Sequence, residues 1–234
     1  MEHRVPYLTE DVIEREASVL LAQFSSATNV PLALPIPVEQ ILESQLRLSL
    51  DLDDLHEKLG VPVVGGTRDI LGALWVDDRS VFIDTSLDPD EYPAREGRFR
   101  YTVGHEIGHW QLHRDHLPSH ENQPSLFEFK SEPTIVCRVS QAKEPIEWQA
   151  DFFAACLLMP RAQVLESWKN RVGDLRTRIA EPLDGTKMSR ATRQVVEPLA
   201  QIFQVSLEAM RIRLEQLRLL QPELSAQPLL RAGA

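Results

Sequence analysis

The sequence predicts an α+β fold: a small β-sheet packed on helices, with a further helical segment after it. Three observations predict this. Short runs rich in Val, Ile and Leu lie between residues 61 and 84, bounded by turn residues, as strands are. Two stretches, about 98–114 and 145–158, read as helices; in the first, apolar residues recur at spacings of three and four. Beyond Pro160 only helical patterns follow, and the charge changes sign. Residues 1–160 carry 13 Lys/Arg and 27 Asp/Glu, whereas residues 161–218 carry 11 and 7.

The elements follow in order. Val12, Ile13, Val19, Leu20 and Phe24 give residues 9–25 a helical stripe, with Thr9 as N-cap. Pro31, Pro35 and Pro37 mark an extended linker, and Pro37 suits the first turn of a helix over 37–46. Residues 51–60 form an acidic helix or turn that Gly60 closes. Strands are expected at Val61–Val64, Leu71–Val76 and Ser80–Asp84, with Asp77-Asp78-Arg79 as a hairpin turn. A loop from Asp88 to Gly97 enters the helix over 98–114. Residues 117–134 read as an exposed loop, and Thr134–Ser140 as a strand. Helices follow at 145–158, 161–171, 190–204 and 206–219, and the tail from Pro222 is expected to fray. The expected division is a body of 1–160, a helical segment of 161–221 and a flexible tail of 222–234.

Composition narrows the function classes. With 234 residues and 43% hydrophobic content, the chain can bury a sizeable core. No apolar run approaches the roughly 20 residues of a membrane helix. The first 16 residues hold too many charges for a secretory leader. Two cysteines, Cys137 and Cys156, exclude a disulfide framework and fit the reducing cytoplasm. A net charge of −10 argues against sequence-independent binding of nucleic acid.

The chemistry concentrates at His105-Glu106-Ile107-Gly108-His109, an H-E-x-x-H pattern. On a helix, positions i and i+4 share a face, so both imidazoles can bind one ion. Glu106 lies beside them and can serve a water molecule as general base. Phe99, Val103, Ile107 and Trp110 form an apolar stripe on the same helix. Zinc in a catalytic site needs a third protein ligand and keeps one position open. His113 lies eight residues from His105, about 12 Å along the axis, too far for a shared ion. Asp115 stands where a longer zincin pattern would have its third ligand, but Leu112 replaces the glycine that breaks that helix. Glu147 is the favoured third ligand. Asp151, one turn on, can accept a hydrogen bond from a ligand imidazole and so orient it.

These stretches resemble the ImmA/IrrE family of metallopeptidases. The similarity lies in RFRYTVG (98–104) leading into HEIGHWQLH (105–113), and in EWQADFFAACLLMP (147–160). Residues 31–43 and 61–84 resemble the family's Pro-rich entry and short sheet. LAQIFQVSLEAMRIRL (199–214) resembles a helix-turn-helix-like segment. The resemblance implies a zincin-like, gluzincin-type core. It implies zinc, with manganese as the other metal, held by His105, His109 and Glu147, and Glu106 as catalytic base. It also implies an endopeptidase that cleaves a helix-turn-helix repressor, in a stress, mobile-element or toxin–antitoxin setting. A DNA-binding N-terminal helix-turn-helix, which some relatives carry, is not evident here. The long stretch between His109 and Glu147 departs from the family pattern and leaves the substrate open.

Charge developing on the scissile oxygen calls for a further donor, and Tyr101, His113 and His116 are the candidates. Cys156, in an apolar run, reads as a buried small hydrophobe. Cys137 reads as packed too, with ligation of the zinc by its thiolate as the alternative. Arg211, Arg213 and Arg218 allow DNA contact through 190–219. Leu207, Met210, Leu214 and Leu217, however, favour packing or partner docking there. Two competing functions remain. One is a non-catalytic regulator that sequesters a repressor or toxin through a structural metal site. The other is a DNA-binding regulator with a vestigial protease fold.

Overall fold

A computed structural model describes residues 5–63, 68–117, 133–138, 144–173, 179–181 and 188–222. The chain divides into two compact units: Met1–Pro160 with Phe203–Val205, and Arg161–Ile202 with Ser206–Ala234.

In the first unit, α1 (Glu10–Thr28) buries Ile13, Ala17, Leu20, Leu21 and Phe24, one stripe of a helix. Thr9 occupies its N-cap, but the side chain makes no capping bond. Next, α2 (Val38–Gln40) continues as a π-turn over Ile41–Gln45, and Val38, Ile41 and Leu42 are buried. A strand, β1 (Ser49–Asp53), stands where an acidic helix or turn was expected to begin. The alternation of Leu50 and Leu52 with Asp51 and Asp53 is the period-two signal that the acidic side chains masked. After it, α3 (Leu55–Leu59) is capped by Asp54, whose carboxylate accepts from Glu57 N, and is closed by Gly60 at φ 65°.

Residues 61–63 are not a strand, contrary to the expectation for Val61–Val64; Val64 lies outside the described residues. Val61 instead completes the helix closure. Its N–H donates to His56 O, and its carbonyl accepts from His56 Nδ1. The hairpin is as expected: β2 (Ile70–Trp75) and β3 (Ser80–Asp84) pair antiparallel through a turn at Arg79, φ 51°. Together with β4 (Ile135–Arg138), they form a sheet of order β1-β3-β2-β4. Every residue of β2 is buried.

α4 (Glu96–His113) packs on this sheet, and α5 (Pro145–Leu158) follows later in the chain. Phe99, Val103, Ile107 and Trp110 are buried as the stripe predicts. α5 packs against both α4 and α1. The expected loop over 117–134 falls mostly on 118–132, outside the described residues.

The second unit contains α6 (Arg161–Val172), β5 (Ile179–Glu181), α7 (Arg190–Phe203), α8 (Leu207–Gln216) and β6 (Leu220–Pro222). The strands β5 and β6 pair in parallel and were not expected. At three residues each, and forty residues apart, they carry no local pattern. Ser206 caps α8 by accepting from Ala209 N. Met210, Leu214 and Leu217 are buried. The tail beyond Pro222 lies outside the described residues. Among the described residues, no helix is long and apolar enough to cross a membrane.

Candidate metal centre

Close packing of α4 on α5 builds the site. Gly104 and Gly108 lie one turn apart and face Ala154 and Ala150. A Cβ on Gly108 would stand 3.0 Å from both Cα and O of Ala150, so only glycine permits this approach. The seam brings the next residues round the helix, His105 and His109, against Glu147.

Three donors converge there. His105 Nε2 lies 2.9 Å from His109 Nε2 and 3.1 Å from Glu147 Oε2. His109 Nε2 lies 3.5 Å from Glu147 Oε1. Donors arranged tetrahedrally at zinc's usual bond lengths stand about 3.3 Å apart. The observed separations bracket that value.

Hydrogen bonds behind the imidazoles fix which nitrogen faces inward. Pro6 O accepts from Gln149 Nε2 at 3.1 Å, so Gln149 Oε1 is the atom turned to His113 Nε2, at 3.3 Å. His113 Nε2 therefore donates, and in the neutral ring its Nδ1 accepts from His109 Nδ1 at 3.0 Å. That leaves a lone pair on His109 Nε2. Asp151 Oδ1 accepts from His105 Nδ1 at 2.8 Å, which in the neutral ring leaves a lone pair on His105 Nε2. Two lone pairs and a carboxylate thus face one another, out of water. A bound cation would reconcile them, and two imidazoles with a carboxylate are a donor set zinc accepts.

The electrostatics agree. Burial pushes His109 and His113 down to about 4, which favours the neutral form that ligates metal. For Glu147, burial opposes ionisation, but His105 and His109 outweigh it and hold the carboxyl at about 2. His105 is raised despite its burial, by Cys137, Asp151 and Glu147. A proton there marks the place a metal would take.

Glu106 differs from all of these. It has no exposed surface, and neither carboxylate oxygen has a hydrogen-bond partner among the described residues. Burial pushes it up to about 8; the Glu147 charge adds to this and His105 opposes it. Its room comes from Gly72 on β2, where a Cβ would lie 2.4 Å from Glu106 Oε1 and 2.9 Å from Thr102 Cγ2.

The other sequence candidates are placed elsewhere or engaged. Asp115 and His116 lie in the exposed turn after α4, and Asp115 faces Arg114 at 3.6 Å. Tyr101 donates its hydroxyl to the Asp151 backbone carbonyl at 2.9 Å. His113 orients His109. Cys156 is buried in α5. Arg211 is tied to Glu208 and Glu215 on its own helix, and Arg213 is buried, so of the three arginines only Arg218 is exposed. Sequence reasoning missed Gly72 and Gln149. A glycine inside the run ILGALW was the available signal for Gly72, because glycine in a strand often marks a close approach. Gln149 had none.

The family model described as the IrrE N-terminal-like domain, a peptidase family, matches residues 90–215. The chain belongs to this family. Membership points to a metallopeptidase-like or regulatory role, and the match contains both α4 and α5. No curated protein matches the chain. Among solved structures, a Mycobacterium tuberculosis transcriptional regulator is similar with a TM-score of 0.46 and 13% identity, over 89% of this chain and 48% of that one. The chain thus spans about half the length of that structure.

Proposed function

We propose that the chain is a zinc-dependent endopeptidase of narrow specificity, with a gluzincin-type active site on a zincin-like core within residues 1–160. The observation that carries this reading is Glu106. A fully buried carboxylate with no partner is costly, and a merely structural metal site has no use for one.

The residues divide the task. His105, His109 and Glu147 hold the metal; Asp151 and His113 set the two imidazole tautomers. Bound zinc would supply a Lewis acid for the scissile carbonyl and ease ionisation of water. Glu106 takes a proton from the attacking water and delivers it to the leaving amine. Without a metal, burial raises its pKa. A nearby cation draws that pKa down and readies the carboxylate as base.

The substrate follows from the family resemblance: a helix-turn-helix repressor or an antitoxin, with cleavage releasing transcription. The helices α7 and α8 serve as a helix-turn-helix-like packing or docking element. With Arg213 buried and Arg211 paired, α8 offers little to phosphates.

The test compares wild type with Glu106→Gln in the native host, reading new protein N-termini by mass spectrometry. New termini in one or two proteins, present only with wild type, are expected. Identical termini from both chains would overturn the peptidase reading.

A further inference from the structure

We infer that Cys137 is a fourth ligand of this centre, whose thiolate closes the metal's coordination shell and holds the enzyme latent. The inference rests on the reading of His105, His109 and Glu147 as metal ligands, and adds a regulatory state to it.

Strand pairing brings the sulfur to the site. β4 runs antiparallel to β2, with Cys137 opposite Gly72. Gly72 is the residue whose missing side chain makes room for Glu106. Cys137 therefore borders the pocket that holds the unpartnered carboxylate. Ligand atoms of His105, Cys137 and Glu147 all lie within 4.8 Å of one another. Around a tetrahedral zinc, sulfur and nitrogen donors stand about 3.6 Å apart, given the usual bond lengths. That separation falls within the 4.8 Å bound for His105, Cys137 and Glu147.

Two histidines, a glutamate and a cysteine make four protein donors, the closed arrangement of structural zinc. On ligation the S–H bond breaks, the S–metal bond forms, and the proton passes to bulk water. Glu106 then has no water molecule to act on, so the same residues alternate between a latent and a working centre. β4 can allow that exchange. It is four residues long and, among the described residues, lies at the sheet edge and pairs with β2 alone. Cys156, at 2% exposure within α5, serves as an internal control.

The test loads the full chain with Co(II) and compares wild type, Cys137→Ser and Cys137→Ala. Wild type is expected to show a near-ultraviolet sulfur-to-cobalt band. Both variants are expected to lose it while keeping the visible bands of nitrogen and oxygen ligation. In parallel, iodoacetamide labelling is read by peptide mass spectrometry. Zinc is expected to slow labelling at Cys137 relative to the metal-free chain and to leave Cys156 unchanged. Visible bands without a sulfur band, with labelling indifferent to zinc, would overturn the inference and leave the metal-site reading standing. A sulfur band that survives both substitutions would point to Cys156 and overturn it as well. Failure of all three chains to bind cobalt or zinc would remove the metal-site reading itself.

Discussion

Asp84 and Glu106 are both carboxylates with no exposed surface, in the same unit of the fold. Asp84 has every donor it needs. Its Oδ2 accepts from Leu55 N at 3.1 Å and Arg68 Nη1 at 2.9 Å, and its Oδ1 from Ser86 N at 3.0 Å. Glu106 has none. Burial penalises both charges, yet only one is compensated within the protein. A buried carboxylate that the fold has satisfied ties elements together. One that it has left unsatisfied, beside three converging donors, fits the part of a general base proposed above.

The largest expected effect tests that contrast directly. Glu106→Gln should cut cleavage of the substrate identified in the host by about 10²–10⁴-fold, the usual contribution of a general acid–base. Zinc content, read by plasma mass spectrometry, should equal that of wild type, and Tm should not fall. A drop in Tm with cleavage intact would make Glu106 another Asp84.

Glu147→Ala removes one of the three donors and should lower zinc content at a fixed free-zinc level. Unchanged content would return the third ligand to Asp115 or His113. Asp151→Ala leaves the donors in place but frees His105 to turn. Its zinc affinity should fall by about 10–100-fold in chelator competition. Affinity equal to wild type would mean that packing alone orients the imidazole.

Asp84→Asn should do the reverse of Glu106→Gln. Replacing one acceptor oxygen by a donor leaves a buried group facing another donor, at a cost of about 1–3 kcal/mol in urea unfolding. Zinc content should not change; loss of zinc with stability intact would erase the distinction between the two carboxylates.

The smallest effect concerns Asp54, next to Asp84 in the satisfied cluster. The Arg68 guanidinium, and after it the Glu57 N–H, hold its carboxyl at about 2 instead of the ordinary 3.8. A carboxyl depressed in the folded state contributes stability that is fully present above pH 3.8 and lost as pH falls towards 2. Asp54→Asn should therefore flatten the acid limb of the stability curve in that window. Superimposable limbs would show that the Arg68 pair adds nothing.

Much of the fold was legible locally. The boundaries Ser80–Asp84 and 145–158 coincide with β3 and α5, because alternation, proline entry and proline exit are written in adjacent residues. The strand β1 was hidden by its aspartates. The run starting at Val61 was misread because the carbonyl and N–H partners of Val61 lie on the preceding helix turn, not across a sheet. β5 and β6 depend on each other across forty residues, and no window around either contains the reason for its structure.

By itself, the sequence determined which side chains could share a helix face. Residues four apart meet on any α-helix, so His105 with His109, and Glu147 with Asp151, form pairs whatever surrounds them. The tertiary structure decided what those pairs meet. The Gly104 and Gly108 seam sets the distance at which Glu147 completes the donor set. Gly72 makes the gap that leaves Glu106 without a partner, and Gln149, held by Pro6, decides through His113 which nitrogen of His109 faces inward. Cys137 enters only through strand register. Each of these is a contact between segments distant in the chain, and local spacing carries no information about such contacts.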